Sequence, residues 1–550
     1  MTEPTTRQTD LWLDSLPPRR QRLLVWALLG IVLLTVLVVI GQYGFFGPDE
    51  PRYARIAQEM LERGDAVLPT LKGVPWMEKP PLLYWLIMGS YLIFGFGEFA
   101  ARFPSAVLAV VTMGALYAAL RPVYGFRPAL LAAAILGSGG LYLGFAGAAA
   151  TDMPLTCCLT LGLLGFWQFL QRRAGANLYL WGACLFFGLA ALAKGLLALI
   201  IPFLAIYPAL AFTGGLRRLL HPRLLPGLLI FALVAAPWFI LMYQREGFHF
   251  ILVFFINHHL ARFFTTIHHH SQPFYFYLPV LILGLLPWTP VVVRLPNLRH
   301  ALQQARQSPQ AAGIVYFAGW FLIPFLFFSV SVAKLPGYIL PLLPAAATLL
   351  ALGLDRQLRR AGRLPRGSVR VASGLFLLVA AAAPVFAWYR YHLTWQGILL
   401  GLLLLPAPLL FLWLHRRRRP DQALLALTLY LLFPLLTAAP ALFPVVAPYH
   451  SHRLICREAM TLVSSGQPLL IYRHFHHTND YYTDYTCTPS IPSLTALIGY
   501  LENYPRQAYV LTRQQHMAEL AELPDWTAQP LTTRGRSVLV RLNRRPGGTS

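Results

Sequence analysis

PLLYWLIMGSYLIFGF, residues 81–96, decides how the chain is threaded. It is as apolar as a membrane span, yet at about fifteen residues it falls short of the ~20 that a helix needs to cross the hydrocarbon core. Outward from it, apolar runs of spanning character lie at 23–41, 103–120, 128–148, 153–171, 178–192, 196–212, 224–243, 274–293, 312–331, 338–354, 371–390, 397–414 and 422–446. Alternate loops between these runs carry Arg121/Arg127, Arg172/Arg173, Arg217/Arg218/Arg223, Arg294/Arg299/Arg306, the arginines from Arg356 to Arg370, and the run Arg416–Arg419. Arginine-rich loops stay in the cytoplasm. Counting 81–96 as a further span would move Arg121 and Arg127 outside and set every later loop in conflict. The segment therefore reads as a re-entrant or interfacial helix, inside one large extracytoplasmic loop over 42–102.

The fold expected is a polytopic all-α membrane protein with about thirteen transmembrane helices and a small C-terminal extracytoplasmic α/β domain. Residues 1–22 form a cytoplasmic arm, 23–447 the transmembrane domain and 448–550 the outer domain. Arg19, Arg20 and Arg22 precede the first span, and no small-residue cleavage site follows it, so it reads as an anchor. Composition agrees: 57% of residues are hydrophobic, 12% are charged and mean hydropathy is +0.55. A soluble globular or disordered chain is excluded. The net charge of +24 would suggest nucleic acid, but most of the excess sits in the cytoplasmic loops, where the only acids are Glu3, Asp10, Asp14, Asp355 and Asp421. Membrane topology accounts for the charge, and nucleic acid is not an expected partner.

From Ser451 the composition turns polar. PLLIYRH (467–473) and QAYVLTR (507–513) have strand character, with helical stretches at 451–464, 492–503 and 514–522. Cys157, Cys158 and Cys184 fall in spans and pack. Cys456 and Cys487 are the pair in the outer domain, where a disulfide is chemically permitted; a bridge or two unrelated thiols are the alternatives.

Ionisable residues on the expected outer side are few. In GPDEPRYARIAQEMLERGD (47–65) Asp49 opens a helix that Gly64 closes, so capping is its plain reading. Helical spacing also puts Asp49, Arg52 and Tyr53 on one face, near Glu78 and Lys79. Asp152 in TDMP, Lys194 in a tight hairpin and Lys334 in KLPGY sit at span ends. Snorkelling would explain either lysine alone. With Asp49, these make four isolated positions on one side, which point to a shared polar cavity. His249, His258, His259, His268, His269 and His270 crowd the loop 244–273 with Arg245 and Arg262; no strong metal spacing is present, and incidental loop histidines are the alternative to a mixed site with Glu78. His474, His476 and His477 read as surface residues. A lipid or glycan transporter is the non-enzyme alternative, for which repeated halves and midplane charges would be expected.

These motifs resemble a known family. D-E-x-R-Y-A (Asp49, Glu50, Arg52, Tyr53, Ala54), E-K-P-P-L-x-Y-W (Glu78 to Trp85), T-D-M-P (Thr151 to Pro154), A-K-G (Ala193 to Gly195) and K-L-P-x-Y-I-L-P (Lys334 to Pro341) occur in the order seen in polyprenyl-phosphate-dependent membrane glycosyltransferases of the type-C fold. The pattern is most similar to that of the 4-amino-4-deoxy-L-arabinose transferases acting on lipid A. The resemblance implies inverting transfer of a sugar from undecaprenyl phosphate to lipid A, or to a protein or other envelope glycan, at the periplasmic face of the bacterial inner membrane. It implies Asp49 and Asp152 as catalytic residues, and Lys79, Arg262, Lys334 and Tyr338 on the donor phosphate. Glu50, Arg52, Tyr53 and Lys194 would support the site, and Glu78 with His259 would hold a divalent metal ion. The chain departs from the family at Gly64-Asp65-Ala66, where Gly-Asp-Trp is frequent, and at Gly337, where threonine is common.

Overall fold

The computed structural model describes residues 11–171, 175–217, 222–261, 272–291, 295–463, 467–474, 476–504 and 506–545, with side chains left out of the description at 258–261. The molecule is a multi-pass membrane protein. Among the described residues ten helices are long and apolar enough to cross a bilayer: Pro18–Ile40, Glu98–Tyr124, Asp152–Gln171, Ala176–Lys194, Leu224–Asn257, Pro309–Val330, Pro336–Ala361, Arg366–Tyr391, Trp395–Arg416 and Pro420–Tyr449. The run expected at 128–148 is two helices, Phe126–Ser138 and Gly140–Ala146, bent by 65°. Ser138 and Gly139 sit at the break, as at many helix kinks, and Trp288 Nε1 donates to the Ser138 hydroxyl at 2.9 Å. The runs at 196–212 and 274–293 hold the shorter helices Leu197–Thr213 and Phe274–Gly284.

Leu82–Phe94, the segment that set the threading, is thirteen residues long. At 1.5 Å per residue it reaches roughly 20 Å, too short for a span. Pro81 precedes it and Gly95, at φ 76°, ends it. Leu83, Tyr84, Ile87 and Tyr91 bury against Asp49–Arg63 and Glu98–Tyr124, while Leu92, Ile93 and Phe94 remain exposed. Exposed Leu225, Leu229 and Leu233 likewise line one stripe of Leu224–Ile251, the pattern of a lipid-facing helix surface.

The C-terminal part is a five-stranded mixed sheet in the order Cys487–Ile491, Leu469–Tyr472, Gln507–Arg513, Ser537–Arg544, Trp526–Arg534. The first three strands are parallel and the last two antiparallel. Leu469 and Ile471 pack toward Arg453–Leu462, while Leu470 and Tyr472 pack toward Leu494–Leu501 on the other face, as strand alternation requires. The strands at 487–491, 526–534 and 537–544 and the helix His477–Tyr482 go beyond the two strands and three helical stretches expected. Cys456 and Cys487 are both free thiols, so the bridge is not formed. Each sulfur has its own partner: Cys456 donates to Asn479 Oδ1 at 3.8 Å and Cys487 to Asp480 Oδ1 at 3.6 Å.

Candidate active site

The site is built on one buried ion pair. Glu50, in the first turn of Asp49–Arg63, accepts from Arg102 Nε at 2.8 Å and Nη2 at 2.6 Å. Arg102 is fully buried, and its other donors reach the carbonyls of Ile40, Tyr43 and Gly44. All five guanidinium N–H groups are thereby satisfied. The Glu50 carboxylate also accepts from Phe46 N at 2.8 Å and Ala149 N at 2.9 Å. The Glu50–Arg102 pair therefore ties together the end of the first helix, the helix Glu98–Tyr124 and the turn that leads into Asp152. Glu50 is thus a scaffold residue, and Arg102 is a positioning residue that the sequence motifs did not single out.

Asp49 lies on the open side of this anchor. Its side chain is 47% exposed and pairs with Arg52 Nη2 at 2.5 Å. The Arg52 guanidinium also stands 5.4 Å from the Trp76 ring centroid. Capping is not the role of Asp49, because the helix begins at it with no side-chain cap. Tyr53 and Tyr84 are buried edge to face, 6.0 Å apart. Burial, then Asp49, pushes the Tyr53 hydroxyl well above its ordinary pKa; burial, then Glu78, does the same for Tyr84. Tyr84 Oη is buried with no hydrogen-bond partner among the described residues, leaving a donor for a ligand. Lys79 is buried, with Nζ 3.8 Å from the Glu78 carboxylate.

Asp152 opens its helix and Lys194 closes the next one, each where the helix dipole favours its charge. Lys194 Nζ donates to Asp152 Oδ1 at 2.7 Å and sits 5.2 Å from the Tyr338 ring centroid. Gly337 makes this closeness possible: a Cβ there would stand 2.6 Å from Asp152 Oδ1 and 2.7 Å from the Phe145 ring. The departure from threonine is thus a steric one. Lys334 is buried and donates to the carbonyls of Gln272, at 2.9 Å, and Ser331, leaving one of its three donors. Tyr277 is a fully buried neighbour of this group that the sequence reading missed.

Asp65, in the second departure, accepts from Val67 N at 2.9 Å and from Arg245 Nη1 at 2.5 Å, tying the loop to the helix Leu224–Ile251. Arg262, His268, His269 and His270 lie outside the described residues, as do the side chains of His258 and His259. Among the described residues no three of His, Cys, Asp or Glu are placed to hold a metal ion. Glu78 is the one member of the expected metal pair described, and it does not make a metal site by itself.

The sheet domain closes over this end. Tyr482 Oη donates to Glu98 at 2.7 Å and accepts from Phe45 N at 2.8 Å. Arg55 pairs with Asp484 at 2.7 Å and stacks on Tyr485, and Lys72 pairs with Asp480 at 3.2 Å. The expectation of surface histidines fails here. His474 is buried, His476 and His477 are half-buried, and His452 joins them with ring centroids 4.4 Å from His474 and 4.6 Å from His476. Burial lowers the pKa of His452 to about 4, of His474 to about 2 and of His476 to about 3. Burial and then Arg52 lower that of His477, which stands close enough to feel Asp49 as well.

Residues 78–241 match the protein family described as dolichyl-phosphate-mannose-protein mannosyltransferase. An undecaprenyl phosphate-alpha-4-amino-4-deoxy-L-arabinose arabinosyl transferase of Pseudomonas aeruginosa (strain UCBPP-PA14) is 36% identical over 373 residues, 66% of this chain and 65% of that protein. The protein of the same description from Edwardsiella ictaluri is 34% identical over 351 residues, 62% of this chain and 61% of that one. The chain thus spans just under two thirds of the length of these curated relatives. The crystal structure of ArnT from Cupriavidus metallidurans in the apo state superposes with a TM-score of 0.74 at 25% identity, over 94% of this chain and 97% of that one. The same protein bound to undecaprenyl phosphate also gives 0.74, at 24% identity. The chain is similar to ArnT and shares its type-C fold. The match extends through the C-terminal sheet domain, so bundle and sheet form one shared architecture.

Proposed function

We propose that the protein is an inverting glycosyltransferase that moves 4-amino-4-deoxy-L-arabinose from undecaprenyl phosphate to a lipid A phosphate, at the periplasmic face of the bacterial inner membrane. In this orientation the N-terminus is cytoplasmic and the sheet domain periplasmic. What carries the reading is the gathering of Asp49, Lys79, Asp152, Lys194 and Tyr338 at one end of the bundle, in a chain 36% identical to a named arabinosyl transferase over 373 residues.

The reaction is a single displacement. An acceptor oxygen attacks the anomeric carbon, the bond from that carbon to the donor phosphate oxygen breaks, and undecaprenyl phosphate leaves with the electron pair. Lys79, Arg262, Tyr338 and the remaining donor of Lys334 stabilise the leaving phosphate, which a desolvated pocket makes effective. Asp152 holds Lys194 against Tyr338 at the same phosphate. A lipid A phosphate is already ionised near neutral pH and needs no general base, so Asp49 orients the acceptor or pairs with the ammonium of the sugar. With a hydroxyl acceptor Asp49 would be the base. A divalent ion on Glu78 and His259, as the resemblance suggests, would add positive charge beside the phosphate; the steps above are carried by side chains.

Mass spectrometry of lipid A from cells lacking the gene, complemented with wild type or Asp49→Asn, tests this. An aminopentose-sized addition present with wild type is expected; with Asp49→Asn it should fall to a partial level if the acceptor is the lipid A phosphate and disappear if the acceptor is a hydroxyl that needs a base. Unmodified lipid A in wild-type cells would move the acceptor to a protein or another envelope glycan. Full activity of Asp49→Asn would remove Asp49 from the reaction.

A further inference from the structure

The opposite end of the bundle holds a cavity that the reaction does not use. Its volume is about 740 Å³, and Trp12, Arg363, Arg418, Arg419, Asp421 and Gln422 are among the residues lining it. It lies at the far end of Pro336–Ala361 from Tyr338; that helix has 26 residues, so the separation is roughly 40 Å. Among the described residues no carboxylate pairs with Arg363 or Arg418. Arg418 has a φ of 58°, the left-handed region that costs a non-glycine residue of order 1 kcal/mol or more. It stands just past Pro406–Arg416, where glycine would close the helix without strain; the sequence places a guanidinium there instead.

Two further features give the cavity a chemistry. The helix Pro420–Val446 begins in its wall with no side-chain cap; Pro420 has no N–H and Ala423 N donates to the Arg419 carbonyl, so the N–H groups of Asp421 and Gln422 are the two left for an anion. Asp421 is 1% exposed; its Oδ2 accepts from Leu13 N at 2.9 Å, and its Oδ1 has no partner among the described residues. A buried carboxylate oxygen left without a donor calls for one from a ligand. The cavity thus offers guanidinium groups and a helix N-terminus for a phosphate, with a buried acceptor beside them for a hydroxyl or ammonium. A bare phosphate would leave most of the volume to water and Asp421 unsatisfied.

We propose that this cavity binds the headgroup of a membrane glycerophospholipid. The phosphate lies between Arg363 and Arg418 in charge-assisted hydrogen bonds. The headgroup hydroxyl or ammonium donates to Asp421, and Trp12 lies at the membrane boundary, where indoles collect. The lipid joins the N-terminal arm to the ends of three helices.

The test is native mass spectrometry of the delipidated full-length protein titrated with short-chain phosphatidylglycerol, phosphatidylethanolamine or inorganic phosphate. One lipid adduct per chain is expected, weakened at least tenfold in Arg363→Gln/Arg418→Gln and less than twofold in Arg416→Gln/Arg417→Gln, which removes equal charge from outside the cavity. Equal weakening in both double variants would mean diffuse charge attraction and overturn the site. Complete displacement of the lipid from wild type by equimolar inorganic phosphate would overturn the lipid as ligand; this arm needs no variant to fold.

Discussion

Asp49 and Glu50 stand side by side in the first turn of one helix and are used in opposite ways. Glu50 is buried and receives four hydrogen bonds, two of them from an arginine whose every donor is satisfied. Asp49 keeps a half-exposed side chain and one arginine. Burying a charge is tolerated only when it is paired and fully hydrogen-bonded. A carboxylate that must meet a changing substrate cannot be committed in that way. The rigid residue fixes the turn before Asp152 and the helix that carries Asp49, and the other stays half-exposed at that end of the bundle. The contrast separates scaffold from chemistry across a single peptide bond.

The sharpest way to break this contrast is to remove each carboxylate in turn. Glu50→Ala leaves Arg102 charged, buried and short of two partners, and should cost about 3–5 kcal/mol. Thermal unfolding of the purified protein in detergent would show it, or the variant would fail to accumulate. Asp49→Ala removes a half-exposed pair worth ~0.5 kcal/mol and should leave the unfolding temperature nearly unchanged while transfer is lost. Equal destabilisation by the two variants would erase the distinction.

Gly337 tests the same division at the second carboxylate. Gly337→Ala puts a methyl group 2.6 Å from Asp152 Oδ1, so either the carboxylate or the Tyr338 turn must shift. Overpacking of this kind costs about 1–3 kcal/mol, and an ångström of misplacement can cost ~100-fold in rate. Transfer should fall by that order with donor binding weakened, and Gly337→Thr should be worse. Unchanged activity in both would show that Asp152 and Tyr338 need not be this close.

Much of this was legible in the sequence, and what was not has physical reasons. The short segment 81–96 and the arginine loops carry local information on length and side, so the reading of that segment as a non-spanning helix and the grouping of Asp49, Lys79, Asp152, Lys194 and Lys334 came from the residues themselves, and Tyr338 from the resemblance. Arg102 could not: it sits in FAARFPSAV like any arginine at a span end, and its partner is 52 residues away. The role of Gly337 exists only because two distant helix ends meet. Trp526–Arg534 is polar and carries Pro530, where its pairing shifts register, as suits an edge strand and weakens its pattern. His474 reads as surface in RHFHHTND because its partners, Ser537 and Arg513, come from distant strands.

That histidine cluster offers the gentlest test, since it belongs to the scaffold yet can titrate. His452, His474 and His476 have folded-state pKa values of about 4, 2 and 3, below the ordinary ~6.5 of an unfolded histidine. The unfolded chain therefore binds more protons below pH 6.5, so the contribution is complete above that pH and declines as pH falls toward the folded values. Arg513, His477 and His516 face the same cluster and oppose its protonation. At pH 5.5 each buried histidine should cost about 1.2 kcal/mol relative to pH 7. Hydrogen exchange across 469–472 and 537–544 should therefore quicken between pH 7 and 5.5, before the transmembrane helices respond. In His452→Gln/His474→Gln that dependence should flatten. An equal pH response in wild type and variant would place the acid sensitivity elsewhere, in the Glu98 and Asp484 contacts that hold the sheet domain to the bundle.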